Sequence, residues 1–282
     1  MSTETNELNA ENAFGAETFT GEEEKDSIEK SILQAPMERT DNPFIRAEES
    51  EAYKKLEREY REYRTQKVLS RIDALFTGVE PLSDAREEMR KTVEESKGKA
   101  VVLPCLIPEA KRSLPPAVRI ETLVDYPYAS GGQKAVLTEI KAALQAKVEV
   151  AAAVNLASYA SGNAKPAEKR LKVLKRLSSK KPITPMFLAG ALGPEQAARL
   201  AATVKANGFR RVKLMIGAAG ISRSADTVKI FHRALGNTCP VDVVGKVSTS
   251  ADAETLFNAG ADRIITTDYR TLSRQRLDGV NI

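Results

Sequence analysis

From Val68 onward the chain alternates short apolar runs with segments of helical period. Eight runs read as strands: Leu69–Leu75, Ala100–Leu103, Arg119–Val124, Val148–Val154, Ile183–Leu188, Arg211–Ile216, Val241–Val247 and Arg263–Thr267. Amphipathic helices fall between them. Lys134–Lys147 sets Val136, Ile140, Ala143 and Leu144 on one stripe, the spacing of a helix with one buried face. Pro194–Asn207 opens behind Gly193 and closes at Gly208, with proline in the first turn and glycine past the end. Ser224–Leu235 and Ala251–Ala259 each have a serine near the start and a glycine just beyond the last turn. Strand-then-helix units predict a parallel sheet, because parallel neighbours need a crossover connection. Their even length and short connections predict closure, so the expected class is α/β, a (β/α)8 TIM barrel. An open doubly wound sheet is the alternative, but it would carry a glycine-rich phosphate loop after its first strand, and none is there.

Ahead of the barrel the pattern changes. Residues 1–46 are polar and acidic with no sustained apolar period, and the expectation is a disordered tail. A short helix around Glu22–Leu33 would end at Pro36. Over 47–67, Tyr53, Leu56, Tyr60 and Tyr63 fall on one helical face, with Glu, Lys and Arg at i,i+4 on the other. The expected organisation is therefore a tail (1–46), an N-terminal amphipathic helix (47–67) and the barrel (68–282). The helix is expected to cap the barrel or to join a second copy in a homo-oligomer.

Composition narrows the function. Hydrophobic residues make up 42% of the 282, enough for a large core, while aromatics are 5% and Trp is absent. No run of 18 apolar residues would span a membrane, and the N-terminus lacks the basic start and apolar run of a secretory signal, so the expected compartment is the cytoplasm. The two cysteines, Cys105 and Cys239, imply no disulfide framework, and the single His232 cannot build a metal cluster. No metal and no cofactor are expected. Residues 1–51 hold 14 acidic and 4 basic residues, leaving 39 basic and 24 acidic in the remainder. The densest basic stretch is KPAEKRLKVLKRLSSKK (165–181). It would suit an acidic protein partner or the chain's own tail; without interleaved aromatics, it argues against nucleic acid.

At the strand ends the chain resembles a known family. VVLPCLIPEAKRSL (101–114) is similar to the second strand and following helix of the deoxyribose-phosphate aldolases. RIETLVDYPYASGGQKAVLTEIKAAL (119–144) resembles their third strand, aromatic-Pro-aromatic turn and next helix. VEVAAAVNLASYASGN (148–163), RRVKLMIGAAGISRSA (210–225) and SADAETLFNAGADRIITT (250–267) look like the fourth strand, the sixth strand, and the seventh helix with the eighth strand. The likeness runs in order from about Ile72 to Leu272 and leaves out the N-terminal segment.

The resemblance implies a class I aldolase, in which a neutral lysine amine attacks a carbonyl and the imine serves as an electron sink. It places that Schiff-base lysine at Lys213, an acid at Asp73 and a substrate contact at Asn155; Cys105, after Pro104 at a strand end facing the expected barrel mouth, is a further candidate contact. It also implies a second lysine on the seventh strand. Ungapped matching puts Asp242 there, and a small shift would bring Lys246 to the position. Elsewhere the family pattern fails. The fourth-strand Asp is replaced by Ala151. Thr184, Leu188 and Ala189 stand where the fifth strand should carry Lys, Glu and Thr. Leu214, Met215 and Ile216 replace small hydroxyl residues, and Ile265 to Asp268 replace the Gly and Ser of the phosphate cradle. Removing one proton-relay group commonly costs about 10²–10⁴-fold. The expectation is a largely degenerate site and a binding or structural role. The alternative is an active lyase with Lys213 as imine former for a small aldehyde, ketone or sugar phosphate.

Overall fold

The computed structural model describes residues 43–78, 82–96, 98–178, 181–218 and 220–275, apart from the side chains of 43–50, 82 and 83. Most of the acidic 1–46 segment, including the helix expected at Glu22–Leu33, lies outside the described residues. The chain parts into two units between Tyr60 and Arg61.

The first helix, α1 (Pro43–Leu69), runs through that division. Next come β1 (Ile72–Phe76), α2 (Leu82–Ser96), β2 (Ala100–Val102), α3 (Ile107–Ser113), β3 (Ile120–Val124), α4 (Gln133–Gln145) and β4 (Glu149–Ala153). There follow α5 (Ala157–Ala160), α6 (Lys165–Leu177), β5 (Ile183–Leu188), α7 (Pro194–Ala206), β6 (Val212–Met215) and α8 (Gly220–Leu235). β7 (Val241–Gly245), α9 (Ser250–Asn258), β8 (Arg263–Thr266) and α10 (Tyr269–Ser273) complete the chain. The eight strands pair in chain order, all parallel, and β8 pairs with β1, so the sheet is a closed barrel. No described helix is long and apolar enough to cross a membrane.

Closure depends on the β8–β1 seam. Arg71, just before β1, donates from Nε to the Asp262 carbonyl (2.9 Å) and from an Nη to that of Ala261 (2.7 Å). Its guanidinium lies 4.4 Å from the Phe257 ring centroid. The same arginine therefore holds the start of β1 to the turn that feeds β8.

Strand positions alternate between two cores, as the period of two demands. One set faces the helices, where Ile140, Leu171, Leu174, Leu200 and Phe231 are buried against the sheet. The other fills the barrel interior. Helix ends follow the local sequence: Thr249 Oγ1 accepts from the Asp252 N–H (3.2 Å) to start α9, and Pro194 opens α7 behind Gly193.

Two strand boundaries shift by more than one residue from the sequence expectation. The run Leu69–Leu75 is split, because Ser70 N–H still bonds Gln66 O (2.9 Å) and its hydroxyl bonds Lys67 O (2.7 Å), keeping the turn helical until Arg71. β7 stops at Gly245 instead of reaching Val247. Gly245 has φ of 152°, and a Cβ there would meet Ile216 Cβ at 2.8 Å. The Val247 N–H turns instead to Thr266 Oγ1 (3.1 Å).

Phe231 is 1% exposed and its ring centroid lies 6.1 Å from that of Phe187, beneath β5. Phe231→Ala should destabilise the fold by about 3–5 kcal/mol. Denaturant unfolding of the full chain measures it, and a loss near zero would mean that α8 is not packed on the sheet as described.

Candidate functional site

Inside the barrel, one residue from each strand joins an apolar layer: Leu75, Val101, Leu123, Ala151, Met186, Met215, Val244 and Ile265. Period two places the preceding inward residues two positions earlier. They are Asp73, Lys99, Glu121, Glu149, Thr184, Lys213, Asp242 and Arg263. Seven of these eight are charged, three cations and four anions, and they form a layer on the N-terminal side of the apolar one. Arg211, two residues before Lys213, adds a fourth cation and balances the layer.

The charges pair across the barrel. Lys213 Nζ donates to Asp242 Oδ2 (2.9 Å), its register partner on β7, and lies 3.2 Å from Glu121 Oε2 on β3. Lys99 Nζ binds the same Glu121 oxygen and reaches Glu149 at 3.6 Å. Arg211 joins Asp242 to Asp262, the latter at 2.7 Å. Asp262, Arg211, Asp242, Lys213, Glu121, Lys99 and Glu149 thus form one chain of alternating sign across the barrel floor. Beside it, Arg263 grips both oxygens of Asp73 (2.7 and 2.8 Å) and ties β8 to β1 a second time. The Lys99 N–H also donates to Asp73 (3.3 Å).

Lys213 is completely buried. Burial by itself would push its amine down, but the carboxylates of Asp242 and Glu121 outweigh burial and hold it above the ordinary lysine value. For Glu121 burial pushes upward, and the ammonium groups of Lys213 and Lys99 outweigh it, keeping the carboxyl below the usual range. Both directions favour the charged forms of Lys213 and Glu121. On the side of the strands' C-terminal ends, Met186, Met215, Val244 and Ile265, none more than 1% exposed, fill the space beyond them.

The other residues singled out from sequence lie at different depths. Asp73 is in the charged layer but spends both oxygens on Arg263. Lys246 is exposed one residue past the end of β7, and the side chains that Lys213 engages are Asp242 and Glu121. Cys105 is exposed beyond β2. Asn155, two residues past β4, donates to the Ala129 carbonyl (3.0 Å) and accepts from the Ala157 N–H (2.9 Å), which joins two loops of that rim. Cys105, Asn155 and Lys246 thus mark the C-terminal rim, whereas Lys213 and Asp73 lie in the floor. Ala151 sits in the apolar layer, fully buried.

Glu121, Lys99, Arg211 and Arg263 are the components that sequence reading missed. Their signal was present in the segments RIETL, KAVV, RVKLM and RIIT, in which charge occupies the inward period just before the apolar positions.

The fold has relatives of known structure. A protein described as QR15, an aldolase, superposes with a TM-score of 0.65 at 18% identity, covering 73% of this chain and 94% of its own. A putative deoxyribose-phosphate aldolase from Coccidioides immitis gives 0.63 at 16% identity, covering 73% and 85%. The deoxyribose phosphate aldolase of Aeropyrum pernix gives 0.62 at 18%, covering 74% and 90%. The chain shares the (β/α)8 barrel fold of these aldolases. No protein-family model and no curated protein matches the chain by sequence. The aldolase fold is thus matched over most of the barrel at an identity that carries the architecture alone.

Breaking a buried ion pair from one side leaves an unpaired charge and costs about 3–5 kcal/mol, whereas replacing all partners by apolar groups is far milder. Lys213→Met should therefore destabilise strongly, and Lys213→Met combined with Asp242→Leu and Glu121→Leu should recover much of the loss in urea unfolding. A triple variant less stable than the single one would contradict the network. The pH dependence has two limbs. Glu121 is depressed in the folded state, so its contribution is complete above its unfolded value and lost as pH falls through the folded one. Lys213 is raised, so its contribution is complete below its unfolded value and lost as pH rises through the folded one. Stability should be flat through neutrality and fall at both extremes, and Glu121→Gln should flatten the acid limb.

Proposed function

We propose that this chain is a divergent member of the deoxyribose-phosphate aldolase family that has lost imine chemistry and acts as a binding or structural protein. One observation supports the reading above the rest: Lys213 Nζ lies within ion-pair distance of Asp242 and Glu121 beneath an apolar layer. A Schiff-base lysine needs the opposite surroundings, with a cation or an apolar pocket depressing its pKa and an open path for the carbonyl. Anionic neighbours reverse the sign of that tuning. The departures along the other strands support the same conclusion, since Ala151 cannot relay a proton. At the rim, Asp268 is hydrogen-bonded by the Ser248 hydroxyl in the region where the resemblance implies a phosphate cradle. A carboxylate there would repel a phosphate.

The second reading, an active class I lyase, draws on the place of Lys213 in β6 within a family-like strand. It would require the ion pairs to open and the amine to lose its proton before attack.

Borohydride reduction in the presence of a small aldehyde or ketone, followed by peptide mapping, separates the two. Exposed Lys246 should take up label as an internal control, while the peptide holding Lys213 stays unmodified. Rapid labelling of Lys213 at neutral pH, lost in Lys213→Arg, would establish the lyase reading instead.

A further inference from the structure

The N-terminal face of the barrel carries a cleft. It has a volume of about 590 Å³ and is bounded by the segments that enter β3, β4 and β5. Arg119, Lys147 and Lys181 stand exposed at its walls with Lys111, and one acid, Glu149, faces them. Arg119 Nη1 lies 3.7 Å from Glu149. Leu114, Pro115, Pro116 and Val118 supply an apolar side. A second hollow of about 320 Å³ shares Lys181 and continues past Lys175 to Arg210. The two make a track with six cations bordering it and one acid in its lining.

We propose that this face binds an acidic polypeptide segment of a partner protein. The charge excess selects an anion. The form of the track then selects among anions. Two adjoining hollows with a shared lysine suit an extended chain better than a compact small molecule. Exposed Pro115 and Pro116, with half-buried Val118, give apolar side chains of a peptide something to cover, which a sugar-phosphate backbone lacks. Phe209 is the one aromatic in the lining and is buried, with Lys175 Nζ 5.5 Å from its ring centroid, so no exposed ring offers a stacking platform for bases. Glu149 beside Arg119 already shows a carboxylate as the counter-ion this wall accepts. The bond from Lys111 Nζ to the Ala146 carbonyl (3.0 Å) holds α3 against the α4–β4 turn and fixes the cleft's width. This assignment does not depend on whether Lys213 reacts, since the cleft opens on the face opposite the C-terminal rim.

The test is fluorescence anisotropy with the full chain and a short labelled peptide of Glu and Leu. Its Gln–Leu counterpart and a single-stranded oligonucleotide serve as comparisons. The Glu–Leu peptide should bind more tightly than either and weaken with salt. Lys147→Glu with Lys181→Glu should weaken binding by about tenfold or more, as two reversed surface charges would. Arg223→Glu with Lys229→Glu on α8, the same change in net charge, should leave it nearly unchanged. Both pairs are exposed, so circular dichroism should report an intact fold. Absence of peptide binding, equal loss in the α8 pair, or tighter binding of the oligonucleotide through the same lysines would each overturn the proposal.

Discussion

The rest of the barrel is arranged around one buried contact, the Lys213 ammonium between Asp242 and Glu121. A fully buried cation is tolerated only if its solvation is replaced. Two carboxylates replace it here, and each is itself answered: Glu121 by Lys99, Asp242 by Arg211. The demand propagates outward until it reaches Asp262 and Glu149, both partly exposed. The seven linked groups, four acids and three bases, therefore act as one unit, linking strands that are not neighbours. Its pairings add a constraint on register, because a one-residue slip of any strand would send its charge into the apolar helix-facing core.

The layer also sets where the barrel's buried titratable groups lie. A TIM barrel keeps its reactive groups at the C-terminal ends of the strands. In this chain that end of the interior is closed by methionine, valine and isoleucine, and the titratable groups lie below, neutralising one another. Cys105, Asn155 and Lys246 stand at the rim above the apolar layer, and Asn155 is occupied in joining two loops.

Much of the fold was legible because eight apolar runs with helices between them admit few closures, and all eight strands were placed. The boundaries that shifted did so for reasons that hydropathy does not encode. Leu69 is apolar but belongs to a helix that Ser70 prolongs, and Gly245 turns the chain before Val247. At the site, Lys213 could be found from its strand, but its company could not. The alignment fell on Asp242 where a second lysine was sought, and that aspartate is the partner itself. Glu121 was written in RIETL as plainly as Lys213 in RVKLM. Bringing β3 and β6 together across the barrel needs the closed sheet, and pairs between strands so far apart leave no mark in local spacing.

The central claim is the charge on one nitrogen. Selective 15N labelling of lysine, with Lys213 assigned by comparison with Lys213→Met, reads the protonation state of Nζ directly across pH. The account predicts an ammonium that exchanges slowly with solvent and shows no titration through the neutral range and well into the alkaline. A resonance that becomes that of a neutral amine near neutral pH would contradict it and return Lys213 to the position of a nucleophile.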